Sequence, residues 1–113
     1  MPPIFEIKDK SGRDIYLSKE RWTHINQEHP EVSGYIEEIK ETLKSPTKIK
    51  TYEYDGDIRY YYNYYKSRES PSKYLLIIVK YLNGDGFIIT AYFVRSIKWK
   101  VQWMFIMMKM EIF

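Results

Sequence analysis

Hydrophobic residues recur at helical spacing in the second quarter of the chain. The apolar positions are Tyr35, Ile36, Ile39 and Leu43. Glu and Lys occupy most positions between them, which is typical of an amphipathic helix with one solvated face. Ser45-Pro46 follows the last apolar position, and proline cannot continue a helix, so the pattern predicts a helix that ends there.

An earlier helix is predicted from about Lys19 to Glu28. Ser18 is a favourable N-cap residue, and Leu17 before it and Trp22 after it are placed to form a hydrophobic staple. His29-Pro30 ends this helix, because a residue that precedes proline is disfavoured in the α region.

From Thr47 onward the apolar period changes to two, which predicts β-strands. The predicted strands are Lys48–Glu53, Ile58–Lys66, Lys73–Leu82 and Phe87–Arg95. The dipeptides Asp55-Gly56 and Asn83-Gly84 are hairpin turn signals, so these strands are expected to form a meander. Two short runs ahead of the helices, Ile4–Lys8 and Ile15–Leu17, predict a separate β-hairpin.

These elements predict an α+β fold in which two N-terminal helices pack on an antiparallel sheet of four or more strands. The 113 residues are enough for one hydrophobic core, so a single domain over residues 1–113 is expected. The end of the chain, residues 97–113, is an apolar extension that a strand or a helix could accommodate. It is too short to span a bilayer, and it could instead pack on the domain or on a second copy of the chain, or contact a membrane interface.

Alternation along two strands predicts which side chains face the helices. In the last strand Phe87, Ile89, Ala91 and Phe93 form the set expected under the helices. In the strand that begins at Ile58, side chains also alternate between two faces. The more polar of the two sets is expected to face a ligand, and its members are Arg59, Tyr61, Asn63 and Tyr65.

Composition indicates which cellular compartment and which kind of ligand to expect. The absence of cysteine excludes disulfides and thiolate chemistry, and no secretory signal precedes the first strand, so a cytoplasmic location is expected. Residues 1–46 contain seven basic and nine acidic side chains, whereas residues 47–113 contain eleven and six. The basic, tyrosine-rich second part suits a phosphate-bearing ligand, although lysines that only solvate strand edges would give the same count.

The candidate acid–base residues are the two histidines, His24 and His29. An imidazole has an unperturbed pKa near 6.5, so one can accept a proton and another can donate one near neutral pH. The spacing does not suit a metal pair on one helical face, and the helical wheel turns His24 away from the core. Metal-site, P-loop and dinucleotide-binding motifs are absent from the sequence, so no cofactor is expected.

Cleavage of RNA without a metal ion needs a base, an acid and donors for the charged phosphorane. Besides the histidines, Arg59 could form bidentate hydrogen bonds to phosphate oxygens, and Thr90 could donate a hydrogen bond. Tyr61 or Tyr65 could stack on a base, and Lys80 could add a positive charge.

The order of short motifs resembles one nuclease group. The motifs are Ile15-Tyr16-Leu17-Ser18, Arg21-Trp22-Thr23-His24-Ile25, His29-Pro30-Glu31, Ser45-Pro46, Tyr60-Tyr61-Tyr62 and Phe87-Ile88-Ile89-Thr90-Ala91-Tyr92. Together, over about residues 4–95, they resemble the phage and polymorphic-toxin nucleases called barnase–EndoU–colicin–RelE-like (BECR or PBECR). The resemblance implies helices on a four-stranded antiparallel sheet, RNA as substrate and a toxin or phage-linked role.

By position, the resemblance nominates His24, His29, Arg59 and Thr90 as catalytic residues, with Tyr92 and Lys80 as substrate contacts. A metal-independent endoribonuclease is therefore the first hypothesis, with an antitoxin or immunity protein as an expected partner and the C-terminal segment as a homodimer contact. The rival hypothesis is a noncatalytic RNA-binding or protein-interaction module that uses the same aromatic face.

Overall fold

The fold combines two helices with one six-stranded sheet, as seen in a computed structural model that describes residues 2–97. In chain order the elements are β1 (Phe5–Lys8), β2 (Asp14–Leu17), α1 (Lys19–Glu28), a 3₁₀ helix (Pro30–Val32), α2 (Ile36–Lys44), β3 (Lys48–Thr51), β4 (Ile58–Tyr64), β5 (Tyr74–Leu82) and β6 (Asp85–Val94). The predicted α+β class is confirmed.

The sheet is larger than the predicted four-stranded meander, and it is not wholly antiparallel. Its strand order is β1-β2-β6-β5-β4-β3, in which β3 to β6 form the meander. The N-terminal hairpin supplies the other two strands, because β2 pairs in parallel with the start of β6. This pairing covers the first part of what would otherwise be an open edge of the meander.

The ends of α1 follow from the sequence. The Ser18 Oγ accepts a hydrogen bond from the Arg21 backbone N–H at 3.0 Å, so Ser18 is the predicted N-cap. At the other end His29 has φ −136° and ψ 69°, outside the helical region, and Pro30 opens the 3₁₀ helix. The turn after α1 therefore separates the His29 side chain from the helical surface that carries His24.

Both faces of the sheet are buried. The helix-side face packs against α1, the 3₁₀ helix and α2, and its core includes Ile25, Val32, Ile39, Leu43, Tyr61, Ile77, Tyr81, Ala91 and Phe93. The opposite face, here called the second face, has its own buried cluster of Tyr52, Ile58, Tyr60, Tyr62, Leu76, Ile78, Ile89 and Tyr92. The second face is therefore not an open aromatic surface.

A β-bulge changes the predicted faces of β6. Ala91 and Phe93 lie in the helix-side core as expected, but Ile89 belongs to the second face and Phe87 is 38% exposed. The register shifts at this point, so that Ile89 is an extra residue between two paired positions. An extra residue inverts the alternation of side chains, which explains why the prediction is correct only beyond the bulge.

The predicted ligand face of β4 is wrong. Tyr61 lies in the helix-side core, and the Tyr65 hydroxyl donates to Glu41 Oε1 of α2 at 2.6 Å. The set that contains Arg59 and Asn63 therefore faces the helices. A tyrosine combines an apolar ring with a polar tip, so its presence does not distinguish a core from a ligand face.

The predicted C-terminal extension, residues 97–113, lies outside the described residues except for Ile97. The homodimer contact expected from that segment also stays a prediction. Within residues 2–97, neither helix is long and apolar enough to cross a bilayer.

Gly86 allows β2 and β6 to approach each other closely. A Cβ at this position would lie 2.3 Å from Ile15 Cδ1 and 3.0 Å from side-chain atoms of Tyr81 and Val79. We expect Gly86→Ala to lower the free energy of unfolding by about 1–3 kcal/mol, because three packed neighbours cannot all move aside. Urea denaturation measures the change.

The matched control is Gly34→Ala, since a Cβ there meets no atom within 4 Å. A change of less than about 0.5 kcal/mol is expected for this control. Equal effects of the two substitutions would contradict the steric explanation.

Candidate active site

His29 lies where the helices meet one margin of the second face. Its ring stacks on Tyr92, with 4.6 Å between the ring centroids and 16° between the planes. The described part of β2 pairs with β6 only at Gly86 and Phe87, so the later half of β6 has no strand on that side within residues 2–97. The helix α1 and the 3₁₀ helix both contact β6, and His29 joins them.

Thr90 belongs to the same strand and the same face as Tyr92. It is 1% exposed, and its Oγ1 has no hydrogen-bond partner among the described residues. The strand pairing places Thr90 opposite Ile78, which in turn pairs with Tyr60. The Tyr60 hydroxyl is also buried without a partner in the described part of the chain, so two hydroxyl groups lie in one row across the sheet.

The surroundings of His29 favour a neutral imidazole. Its side chain is only 18% exposed, and burial lowers the pKa of His29 below the ordinary value of 6.5, while Glu31 opposes this effect. The Nδ1 of His29 and the Oε2 of Glu31 are 3.9 Å apart. Near pH 7 the ring can therefore accept a proton, as a general base must.

The Tyr92 hydroxyl is held in its protonated form. Burial raises the pKa of Tyr92 above its ordinary value of 10.0. A neutral phenol ring stacked on an imidazole fixes the plane of that ring and keeps a hydroxyl group nearby.

His24 lies on the exposed side of α1, whereas the neighbouring Ile25 is 1% exposed. The outward direction predicted for His24 is confirmed. Because His29 instead contacts the sheet through Tyr92, the two imidazoles do not share a helical face.

Arg59 is not brought to His29. It lies on the helix-side face of β4, and β5 separates that strand from β6. Its Nε donates to Thr51 Oγ1 at 3.2 Å, and its guanidinium carbon lies 5.4 Å from the centre of the Tyr81 ring. The predicted cleft of both histidines, Arg59 and Thr90 therefore separates into a group around His29 and a group around Arg59.

The tyrosines and the lysine nominated for substrate binding have other contacts. The Tyr61 hydroxyl donates to the Asp9 carboxylate at 3.2 Å. Burial, with the hydrogen bond to Glu41 next in size, raises the pKa of Tyr65 to about 12. Lys80 hydrogen-bonds to Asp55, and this bond lowers the pKa of the Asp55 carboxyl group. Of the four nominated substrate contacts, Tyr92 alone lies beside His29.

Alternation along β4 separates Ile58, Tyr60 and Tyr62 from the predicted ligand set, and these three residues line the second face. Sequence reasoning missed Arg68, whose guanidinium carbon lies 3.7 Å from the centre of the Phe93 ring on the helix-side face. Arg68 comes from the β4–β5 loop, where no periodic pattern indicates the direction of a side chain.

Possible metal ligands do not gather near the histidines. Among residues 2–97, no three His, Cys, Asp or Glu side chains are grouped so that they could hold a metal ion. The geometry offers an imidazole stacked on a phenol, and an imidazole can move protons near neutral pH.

Comparison with known proteins identifies the family. A family model described as phage-Barnase-EndoU-ColicinE5/D-RelE like nuclease 2 matches residues 4–102. Searches of curated proteins and of solved structures gave no match. The matched range includes both helices, every strand and the His29–Tyr92 contact. The chain therefore belongs to the phage-Barnase-EndoU-ColicinE5/D-RelE like nuclease 2 family.

Proposed function

We propose that this nuclease is an endoribonuclease that cleaves RNA by acid–base transesterification and needs no metal ion. The observation that carries the proposal is the partly buried His29 stacked on Tyr92, with its pKa lowered by burial. The family assignment supports a nuclease.

In the proposed reaction the neutral His29 imidazole takes the proton of the RNA 2′-hydroxyl. The 2′-oxygen then forms a bond to phosphorus, the bond from phosphorus to the 5′-oxygen breaks, and the leaving oxygen takes a proton from a general acid. His24 lies on the exposed side of α1 and does not share a face with His29, so a water molecule is the proposed proton donor. The products are a 2′,3′-cyclic phosphate and a 5′-hydroxyl end.

The neighbours of His29 have supporting roles in this proposal. Tyr92 holds the plane of the imidazole, which limits the directions from which it can accept a proton. Thr90 is 1% exposed, so its hydroxyl lies beneath the surface and has no direct contact with the phosphate group in this proposal. Arg59, Tyr61, Tyr65 and Lys80 have no part in the step, because their contacts hold them elsewhere.

The direct test is incubation of the purified protein with single-stranded RNA in excess EDTA over about pH 5–8. We expect cleavage that leaves cyclic phosphate ends, and a DNA strand of the same sequence should stay intact because it lacks the 2′-hydroxyl. RNA that stays intact at every protein concentration would contradict the proposal. Salt-sensitive RNA binding without cleavage would instead support the noncatalytic module.

The biological setting follows from the same proposal. We infer a toxin or phage-associated role, which the family description supports, and an immunity protein or antitoxin that neutralises the activity. A reducing cytoplasm is the proposed site of action, because a chain without cysteine needs no oxidising compartment to fold.

A further inference from the structure

Two arginines lie around one tyrosine ring at the opposite side of the sheet from His29. The guanidinium carbon of Arg13 is 4.8 Å from the centre of the Tyr81 ring, and that of Arg59 is 5.4 Å from it. Arg13 belongs to the β1–β2 loop and Arg59 to β4. Two residues distant in sequence thus place positive charges against one aromatic ring. We call Arg13 and Arg59 the arginine pair.

The ring between the two arginines is held in place. The Tyr81 hydroxyl donates to Asp9 Oδ2 at 2.5 Å, and Tyr81 and Asp9 are 4% and 6% exposed. The other carboxylate oxygen of Asp9 accepts from the backbone N–H groups of Ser11 and Arg13 at 2.8 and 3.0 Å. The same carboxylate therefore fixes the ring and the loop that carries Arg13, so the site is preorganised.

The positive charge of the arginine pair is not neutralised within the described residues. Neither Arg13 nor Arg59 has a carboxylate oxygen within 4.0 Å among residues 2–97. Arg13 is exposed and Arg59 is half-buried, so a ligand can reach both. The Lys10 N–H donates to the Leu43 carbonyl oxygen at 3.2 Å, which brings Lys10 and the adjacent Lys44 to the same end of the helix-side face.

We propose that the arginine pair binds backbone phosphate groups of RNA away from the bond that is cut. This inference rests on the proposed function, because it takes the substrate to be RNA. Both guanidinium groups lie against the Tyr81 ring and neither is paired with a carboxylate among the described residues, so a phosphate group that binds beside this ring is attracted by two positive charges. Their planar forks match phosphate oxygens, and one bonded nitrogen of Arg59 leaves its terminal nitrogens available.

The location of the pair sets its effect on substrates of different length. Arg59 is two strands from β6, which is about 10 Å across the sheet, and it lies on the other face from Tyr92. An RNA that contacts both regions must pass around a sheet margin, so a dinucleotide is too short to do so. The arginine pair should therefore affect long RNA and leave a dinucleotide substrate unaffected.

The test is fluorescence anisotropy with the full chain and a 2′-O-methyl RNA of about twelve nucleotides, which cannot be cut, over a series of salt concentrations. We expect Arg13→Gln and Arg59→Gln each to weaken binding and to reduce the slope of log K against log salt by about 0.7, the value for one phosphate contact on a single strand. Arg59→Lys, which keeps the charge, should retain the slope.

Lys66→Gln is the matched control. Lys66 is exposed and lies beyond the other end of β4, about 23 Å along the strand direction from Arg59, and the substitution removes the same charge. We expect the wild-type slope in this variant. An equal change of slope in Lys66→Gln and Arg13→Gln would overturn the inference, because it would show a general charge effect.

Cleavage assays separate this inference from the proposed function. Arg13→Gln should lower kcat/KM for long RNA and leave kcat/KM for a dinucleotide unchanged. If the wild-type protein binds the uncuttable RNA but cleaves nothing, the proposed function fails and the slopes still decide the role of the arginine pair. If Arg13→Gln and Arg59→Gln keep the wild-type slope of log K against log salt, the inference is overturned. The same conclusion holds if these substitutions change the binding of polyglutamate but leave the slope for RNA unchanged.

Discussion

Replacement of His29 by alanine is expected to lower the rate constant of RNA cleavage by about 10²–10⁴-fold, the usual contribution of a general base. The physical reason is that His29 is the imidazole fixed by stacking on Tyr92 and kept neutral by burial. Single-turnover cleavage of a labelled RNA measures the rate constant. Binding of the uncuttable 2′-O-methyl RNA should stay nearly unchanged, because the imidazole takes the proton of the 2′-hydroxyl and does not bind the phosphate charges of the RNA backbone.

Two variants control for structure. His29→Gln keeps a planar polar side chain but cannot act as a base, so it should be as slow as His29→Ala, with a thermal melting temperature closer to that of the wild type. Tyr92→Phe keeps the stacked ring and should retain most of the activity. Cleavage by a folded His29→Gln protein within a few-fold of the wild-type rate would contradict the assignment of His29 as the base.

The pH dependence gives an independent readout of the same residue. Because burial lowers the pKa of His29, the acid limb of kcat/KM should lie below the ordinary histidine value of 6.5. The stability has a related dependence. As the pH falls below 6.5, His29 binds a proton in the unfolded chain before it does so in the folded chain. The free energy of unfolding should therefore decrease until the pH passes the pKa of His29 in the folded chain. His29→Gln should remove this part of the pH dependence.

The sequence predicted the elements well because period, caps and turns are local properties. Ser18 caps α1, Pro30 follows its end, and a Gly after Asn83 closes the β5–β6 hairpin, where Asn83 has φ 55° and Gly84 has φ 87°. Each of these features depends on neighbouring residues alone. The six-stranded sheet could not be predicted in this way, because the pairing of β2 with β6 joins segments far apart in the chain.

The directions of side chains were harder to predict than the strands. In β6 the bulge at Ile89 inverts the alternation, and no residue type marks that position. In β4 the tyrosines on the two faces look alike in sequence, although Tyr61 bonds to a buried carboxylate and Tyr62 lies on the second face. The error predicted Arg59 on a ligand face beside His29, whereas the structure places it on the helix-side face, away from His29.

The sequence nominated individual residues of the candidate site but did not predict how they lie relative to one another. His29, Thr90 and Tyr92 were each nominated, and the structure brings them to one margin of the sheet. The contact between His29 and Tyr92 depends on the packing of α1 and the 3₁₀ helix against β6, which local patterns do not encode. The buried carboxylate of Asp9 was missed for the same reason, because its partners come from two strands and a loop.

Asp9→Ala is expected to lower the free energy of unfolding by about 3 kcal/mol, because it removes the shared acceptor of a buried network. The carboxylate accepts from the Ser11 N–H and Oγ at 2.8 and 2.6 Å, from the Arg13 N–H at 3.0 Å, and from the Tyr61 and Tyr81 hydroxyls at 3.2 and 2.5 Å. A hydrogen bond to a charged group contributes about 1.5–3 kcal/mol, but loss of this group also removes its own desolvation cost.

The acid dependence of the stability should identify the same carboxylate. Burial, the largest single influence, raises the pKa of Asp9, but the hydrogen bonds from Ser11, Tyr81 and Arg13 outweigh it, and the net pKa is lowered from 3.8. A lowered carboxyl pKa stabilises the fold above the unfolded value and loses this effect as the pH falls through the folded value. In Asp9→Ala the part of the acid destabilisation below pH 3.8 that Asp9 causes should therefore be absent.

Asp14→Ala is the matched control in the same hairpin. Asp14 forms an exposed ion pair with Lys8 at 2.8 Å, and such pairs contribute about 0–1 kcal/mol, so its loss should have a small effect in the same urea titration. The two tyrosine hydroxyls also bond to each other at 2.5 Å. If Asp9→Ala cost no more than Asp14→Ala, that mutual bond would be enough to satisfy both hydroxyls, and the carboxylate would not be what holds the Tyr81 ring and the Arg13 loop in place.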